Sequence, residues 1–530
     1  MRDARHVRAL IGAAWCGAML AGGAAAQRPA DSVTLGIAVP ASSVDPHVLN
    51  AAPNSQLAAH LFSRLVERDA RFQLRPGLAR EWRQAEPDAW EFRLSPDVLW
   101  HDGRPFTAED AAFSLARAKS VPNSPGGFSG LLRMIARVEV TDPLTLRIVT
   151  RRPHAQLPLE LSTLAVISRH AGQGASTEDY NNGRAAIGTG PYRLVSHIPN
   201  ERTELARHEG YFGPRQPWAR VTLKALPQEA ARSAALRAGM VDLIEQVPAA
   251  DLAALRHDPR FRVFAIPGLR LMYLQPDIGH AQAPPQVTDG SGRPLAGNPF
   301  RDRRVRLALS HAIDRAAIAE RVLGGAAEPA GQWLPPGAPS FDPETPAPRH
   351  DPALARQLLA EAGYPDGFRL VLLAPQGRYL ADLAMAQAVA GMWGGIGVAT
   401  EVVALPWAGF TDRSMRLEFA TRLASWISLT GEASFPLTHV LGSYDPVLRR
   451  GSANLGRYSN PALDSLVERA MATEAAPARE ALLRQAVRLA AEDVPVIPLI
   501  RPLAVWAVRA GLRYEPRMDE RTLAMGLQPE

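Results

Sequence analysis

Ile187-Gly188-Thr189-Gly190-Pro191-Tyr192-Arg193-Leu194-Val195 lies between two long segments of ordinary globular texture and redirects the chain. Glycine can take positive φ, Pro191 fixes its own φ and pushes Gly190 out of the α region, and Tyr192, Leu194 and Val195 suit a strand. The stretch therefore reads as a turn feeding a strand. A phosphate-cradling loop would need a third glycine and a helix starting at the phosphate. Gly188-x-Gly190-x-x-Arg193 lacks the first, and Pro191 and Tyr192 oppose the second.

Around this turn the chain has 530 residues, 46% of them hydrophobic and 21% charged. That is enough for a large core and too long for one ordinary domain, so two or three lobes are expected. The formal charge is +6 with a pI near 9.7, but the basic residues are scattered and no block of five like charges occurs. Non-specific basicity fits better than a nucleic-acid surface. Lys119 and Lys224 are the only lysines, and genomic composition accounts for the excess of arginine.

Arg2, Arg5 and Arg8 precede an apolar run from Ala9 to Leu20, and Ala24-Ala25-Ala26 stand before Gln27. This is the pattern of a secretory signal, cleaved after Ala26. The run is shorter than the ~20 residues that span a bilayer. Cys16, the only cysteine, falls inside the signal behind Ala13-Ala14-Trp15, where bulky Trp15 opposes lipoprotein acylation. The mature chain would then be an exported protein held by its core alone, and cysteine chemistry is excluded.

Val33 to Val39 reads as the first mature strand, followed by an amphipathic helix containing Leu57, Leu61, Phe62 and Leu65. Apolar and polar residues roughly alternate from Trp82 to Arg93. Thr107 with Asp110 forms a capping pair for the next helix, and 138–140 with 144–149 flank a hairpin turn. After the Gly-Thr-Gly-Pro turn come strands at 203–206 and 221–226 and a helix from Glu229 to Met240. The segment 282–298, rich in Pro, Gly, Asp and Ala, suits a flexible loop or a crossing between lobes. Asp302, Asp351 with Pro352, and Asn460 with Pro461 open helices, and Gly363 closes one. Val494 to Ile500 and Val505 to Val508 read as two late buried strands. Alternating strands and helices indicate an α/β chain.

Hydrolase hardware is missing. His208-Glu209 has no second histidine four positions on, and Ser129 fails the spacing of a nucleophile elbow. The thirteen histidines are spread singly. His101 beside Asp102 reads as a hydrogen-bonded turn, and Asp519-Glu520 as a solvated acidic face. No acid/base pair or metal-ligand spacing stands out, and no cofactor is expected.

Val44-Asp45-Pro46, Trp100-His101-Asp102-Gly103-Arg104-Pro105-Phe106-Thr107-Ala108-Glu109-Asp110, Gly188-Thr189-Gly190-Pro191-Tyr192, 298–308 and Ala312-Ile313-Asp314-Arg315 occur in this order along the chain. Together they resemble the extracytoplasmic solute-binding proteins of ABC importers in the dipeptide, oligopeptide and nickel family (family 5). The resemblance implies a two-lobed periplasmic-binding-protein clamp of type II-like α/β fold, with an extra subdomain in the first lobe. On this reading 1–26 is the signal, 27–285 is lobe 1 with the subdomain at about 70–187, 286–495 is lobe 2, and 496–530 returns to lobe 1. The implied partners are a peptide or other small-molecule ligand and an inner-membrane ABC permease, with no nucleic acid, and the receptor acts as a monomer. The alternatives in class are a nickel-chelate, glycoside or opine-like ligand. Outside it stand a secreted hydrolase and a sensor or chaperone without a transport role.

Most signature residues, Asp102, Thr107, Asp302 and Asp314 among them, have cap and turn roles that need no ligand. In peptide-binding relatives an Asp three residues after a Trp takes the ligand's free amine. That Trp resembles Trp426, which places Leu429 at the aspartate position. Leucine cannot pair an ammonium, and an unpaired buried charge is costly, so the familiar dipeptide mode is not expected. Glu432 falls near a second acidic position of the same loop. Arg378, beside Tyr379, resembles the arginine offered to a ligand carboxylate, a pairing that suits a planar guanidinium. Trp407 and Trp426 are candidate cleft walls, and Thr189 and Tyr192 are candidate contacts beside the turn.

Overall fold

Alternation decides the faces of the strand Arg270–Pro276. Leu271 and Tyr273 pack with Trp333, Leu437 and Leu483, whereas Met272 and Leu274 pack with Val305, Leu309 and Trp393 on the opposite side, as the two-residue period of a strand requires. The strand is thus buried on both faces, and each fully buried leucine stabilises the fold by roughly 1.5–3 kcal/mol. The computed structural model describes residues 31–530 except Pro125, Gly126, Leu429, Arg449 and Glu474. The expected signal segment 1–26, and Leu429, lie outside the described residues.

One large sheet runs through the molecule. From one side its main path passes through Phe368–Gln376, Thr421–Ile427, Arg270–Pro276, Ile497–Arg509, Leu243–Glu245, Ser32–Ile37, Arg220–Ala225, Arg202–Arg207 and Tyr192–Ile198. The expectation of two late strands is replaced by one, Ile497–Arg509. Its first part pairs with Arg270–Pro276, Ile497 opposite Leu274, and its second part pairs with Phe261–Pro267 and Leu243–Glu245. Gly268 and Leu269 make the parallel passage between Phe261–Pro267 and Arg270–Pro276. The two halves of the α/β clamp are therefore joined where this strand changes neighbours. The segment 282–298 carries Val287–Thr288, which pairs within the same half-sheet as Phe368–Gln376.

The inserted subdomain is a four-stranded antiparallel sheet, Ala79–Glu86, Ala89–Leu94, Thr145–Thr150 and Ile135–Asp142 in spatial order. Phe92, Trp100, Phe106, Leu115 and Leu146 fill its core. The alternation read between Trp82 and Arg93 is a hairpin, and the capping pair forms as expected: Thr107 N–H donates to Asp110 Oδ2 at 3.0 Å. Asp302, Asp314, Asp351 and Asn460 each accept an N–H at a helix start. Asp45 of the Val-Asp-Pro signature is fully buried. It takes two hydrogen bonds from Arg117, at 2.9 and 2.7 Å, and one from Thr177 at 2.9 Å. Burial alone would raise its carboxyl, but Arg117 outweighs burial and holds it below the usual range.

The turn 187–195 does feed a strand, Tyr192–Ile198, but its glycines are there for another reason. Neither Gly188 nor Gly190 adopts positive φ. A Cβ on Gly188 would sit 1.8 Å from Leu61 O, and one on Gly190 would sit 2.6 Å from His60 O. Only glycine permits so close an approach of two backbones. The helix Ala52–Leu61 ends here, short of the Leu65 expected, because the chain turns extended at Phe62 while Leu61 O accepts Gly190 N–H at 3.0 Å. His101 fastens the other side: its Nδ1 accepts Gly188 N–H at 3.1 Å and its Nε2 donates to Gly190 O at 3.1 Å. Burial pushes its imidazole down to about 4, so a neutral ring bridges the turn. The helix at Glu229 likewise stops early, at Arg237, where Gly239 takes φ +70.

Candidate ligand-binding site

Three parallel strands, Phe368–Gln376, Val398–Pro406 and Thr421–Ile427, end on the same edge of the second half-sheet. Loops beyond the carboxyl ends of parallel strands are where α/β sheets hold ligands. Asp382 shapes the first of these loops by accepting from the N–H groups of Gly377, Arg378 and Tyr379 at 3.2, 2.8 and 3.1 Å. Arg378 is exposed, and its guanidinium lies over Tyr379 at 5.3 Å and Trp407 at 5.1 Å. Trp407, 44% exposed, stacks on Phe410 with ring centres 5.5 Å apart. Arg378, Tyr379 and Trp407 thus form one aromatic shelf under a cation, a geometry that favours the charge face-on to the rings. Among the described residues no carboxylate forms an ion pair with Arg378.

Trp426 stands at the end of the third strand with a second aromatic group. Its ring centre is 5.9 Å from Phe435 and 6.3 Å from His439, and those two are 4.7 Å apart. The Trp426 indole N–H is buried with no acceptor among the described residues. Burial lowers the His439 imidazole, and the charge of Arg133 from the inserted subdomain adds to the effect. The four-residue spacing of Phe435 and His439 was the only signal of them in the sequence, and without Trp426 as a reference it pointed nowhere.

Glu432 is not a loop carboxylate in solvent. It is buried, and its oxygens are occupied: Arg479 Nε donates at 2.9 Å, Ser434 Oγ at 2.7 Å and Gln156 Nε2 at 2.5 Å. Gln156 belongs to the inserted subdomain, so the contact ties that subdomain to the second lobe. Phe72, also from the first lobe, packs at the same junction; a Cβ on Gly431, which has φ +70, would lie 2.2 Å from its ring. Thr189 and Tyr192 are both fully buried, Tyr192 with its ring 6.1 Å from His60. Neither side chain reaches a solvent-open surface in this arrangement.

Asp519-Glu520, read as a solvated acidic face, instead belongs to a largely buried ionic cluster at the passage between lobes, with Asp519 at its centre. Met518 O accepts Leu269 N–H at 3.2 Å, and Met518 N–H donates to Ala70 O at 3.0 Å. Burial would raise the Asp519 carboxyl, but Arg517, 2.8 Å away, and Arg521 outweigh it and hold it at about 2. Arg521 itself is pushed down to about 10 by burial, with Arg64 and Arg517 adding to the effect. Glu520, 3.9 Å from Arg270, is pushed up by burial. Arg517 and Arg521 are local partners of Asp519, but the burial of the cluster comes from contacts with Ala70, Leu269 and Arg270, which no local pattern could have shown.

The profile of the family described as "Bacterial extracellular solute-binding proteins, family 5 Middle" matches residues 73–446. The chain belongs to that family. Among curated relatives, heme-binding protein A of Haemophilus influenzae is 29% identical over 471 residues, covering 83% of this chain and 81% of the relative. The periplasmic murein peptide-binding protein MppA of Escherichia coli is 28% identical over 487 residues, covering 86% and 85%. The solved structure of HbpA2 from Haemophilus parasuis has the same fold, with a TM-score of 0.82 and 23% identity over 94% of this family 5 chain and 100% of that one.

Proposed function

We propose that the mature chain is the periplasmic receptor of an ABC importer, which captures a peptide or peptide-like solute between its lobes and delivers it to an inner-membrane permease. One observation carries this reading: a family 5 chain with a hinge passage at 267–269 and 501–503 presents Arg378, Tyr379, Trp407 and Trp426 along the ligand-bearing edge of its second lobe. Lobe 1, with its insert, then lies before residue 268 and after 503, and lobe 2 lies between. Export with cleavage after Ala26, action as a monomer, and binding without turnover complete the proposal.

Closing such a clamp is driven by contacts that the ligand makes only in the closed arrangement. Arg378 offers a bidentate partner to a ligand carboxylate, the two aromatic groups offer apolar walls, and the buried indole N–H of Trp426 offers a donor. Leu429 stands where an amine-pairing aspartate would, which favours a solute without a simple free amine at that point. Thr189, Tyr192 and Glu432 hold the frame. Native mass spectrometry of the purified mature protein is the direct test: a stoichiometric bound mass of a small peptide-like compound is expected. Turnover of a peptide substrate would replace this reading with a hydrolase. Calorimetry with free-amine dipeptides should give weak binding, and tight binding would refute the inference from Leu429.

A further inference from the structure

A second cavity, about 370 Å³ in volume, lies inside lobe 2. Its inner wall is made by Leu271, Trp333, Leu441, Val487, Ala490 and Val496. It opens beside Pro498 at the start of the long strand, level with Tyr273. The ligand-bearing edge described above is reached along the same strand pair: the wall residue Leu271 stands opposite Trp426, while the shelf of Arg378, Tyr379 and Trp407 lies beyond the ends of the neighbouring parallel strands. None of Arg378, Tyr379, Trp407 and Trp426 lines the cavity, whose described walls all belong to lobe 2.

Its roof is built to stay open. Gln332 is buried and locks the proline-rich loop to itself: its Nε2 donates to Asp342 O at 2.6 Å and to Thr345 O at 2.8 Å, and its Oε1 accepts Asp342 N–H at 2.9 Å. Arg501 Nη2 donates to Gln332 O at 2.8 Å, and Arg488 Nε donates to Asp342 Oδ2 at 3.0 Å. The roof's polar groups are thus used among themselves, and the walls they leave are mostly hydrocarbon and indole. A preformed apolar cavity of this size falls in the range of small-molecule sites, about 300–1,000 Å³.

The charges at the mouth select the ligand. Arg488 is committed to Asp342 and to Glu344, 2.7 Å away. His311 Nδ1 is bonded to Arg349 O at 2.9 Å. Glu492 is exposed at the rim. Among the described residues that line the mouth no uncommitted cation remains to receive an anion, so a carboxylate-bearing solute of the kind Arg378 suits would be rejected here. We propose that this cavity is a second binding site of the receptor, for a neutral, flat, largely apolar molecule such as a bicyclic aromatic. Its occupant would rest on Leu271 and beside Pro498, residues of the two strands that pass between the lobes.

The probe is phenylnaphthylamine, a neutral dye whose fluorescence rises in apolar surroundings, titrated into the purified mature protein. Saturable enhancement at about one dye per chain is expected. Ala490→Phe fills the inner wall and Ala491→Trp fills the half-exposed rim; each should weaken dye binding at least tenfold while the circular-dichroism melt stays cooperative. Ala491→Trp alone suffices if Ala490→Phe does not fold. Trp407→Ala, which strips the aromatic shelf of the interlobe cleft, should leave the titration unchanged. No saturable enhancement, equal affinity in the filled variants, or loss of binding in Trp407→Ala would each overturn the proposal. None of these outcomes depends on whether the interlobe cleft binds a peptide.

Discussion

Replacing Glu432 by glutamine would remove the buried carboxylate that pairs with Arg479 at the junction between the inserted subdomain and lobe 2. The carboxylate side chain is 4% exposed and the guanidinium 16%, so little water is at hand to take over. Breaking a fully buried pair costs about 3–5 kcal/mol. Here Arg479 retains some solvent and a weak bond to Thr473 O at 3.4 Å, and the new amide oxygen can still accept from Ser434 or Gln156. The loss should therefore be about 2–3 kcal/mol. Urea unfolding would show it as a lower midpoint at unchanged slope. Arg479→Met should cost a similar amount, and the double variant far less than the sum, the mark of two residues acting as one unit. Ligand affinity, once a ligand is in hand, should change less than threefold. An unchanged midpoint together with a tenfold loss of affinity would refute this reasoning and return Glu432 to the pocket.

Gly188→Ala would drive a Cβ to 1.8 Å from Leu61 O. The cost should exceed the range of about 1–3 kcal/mol usual for overpacking, and thermal melts would read it; a loss under 1 kcal/mol would contradict the close approach. His47, His60 and His101 are each pushed down to about 4 by burial. The unfolded chain therefore binds more protons between pH 6.5 and 4, so stability is full above about pH 6.5 and falls as pH drops through that window. Melting temperatures from pH 7.5 to 4.5 should trace the decline, and His101→Gln should flatten it; an unchanged slope in that variant would exclude His101 as a contributor. Arg378→Ala should leave the melt unchanged within about 0.5 kcal/mol, as exposed substitutions do, while lowering affinity for the bound solute at least tenfold by calorimetry. Equal affinity would remove Arg378 from the site.

Features that depend on neighbours in sequence were legible. The Thr107 and Asp110 cap, the hairpins and the strand after Pro191 follow from side-chain chemistry acting over a few residues, and the ordered motifs carried the family. The glycines of the turn were located correctly but explained by the wrong property, because the carbonyl that crowds Gly188 comes from Leu61, more than a hundred positions earlier. The buried partners of Glu432 were out of sight for the same reason: Gln156 lies 276 residues away. The shelf of Arg378, Tyr379 and Trp407 needed two strands to be set in parallel before its members met. Asp519 looked like a surface acid because Arg517 and Arg521, its partners, are indistinguishable in sequence from the chain's many other arginines.

The long strand Ile497–Arg509 also has a consequence for how the protein is made. It is synthesised after every other strand it joins, and it contributes a middle row to both half-sheets. Until it arrives, Leu243–Glu245, Phe261–Pro267 and Arg270–Pro276 each lack a neighbour, and exposed strand edges of that kind invite other chains. Neither lobe can complete itself early. On the proposed export route, such a delay would leave the sheets of both lobes to be closed together after the chain has crossed the membrane.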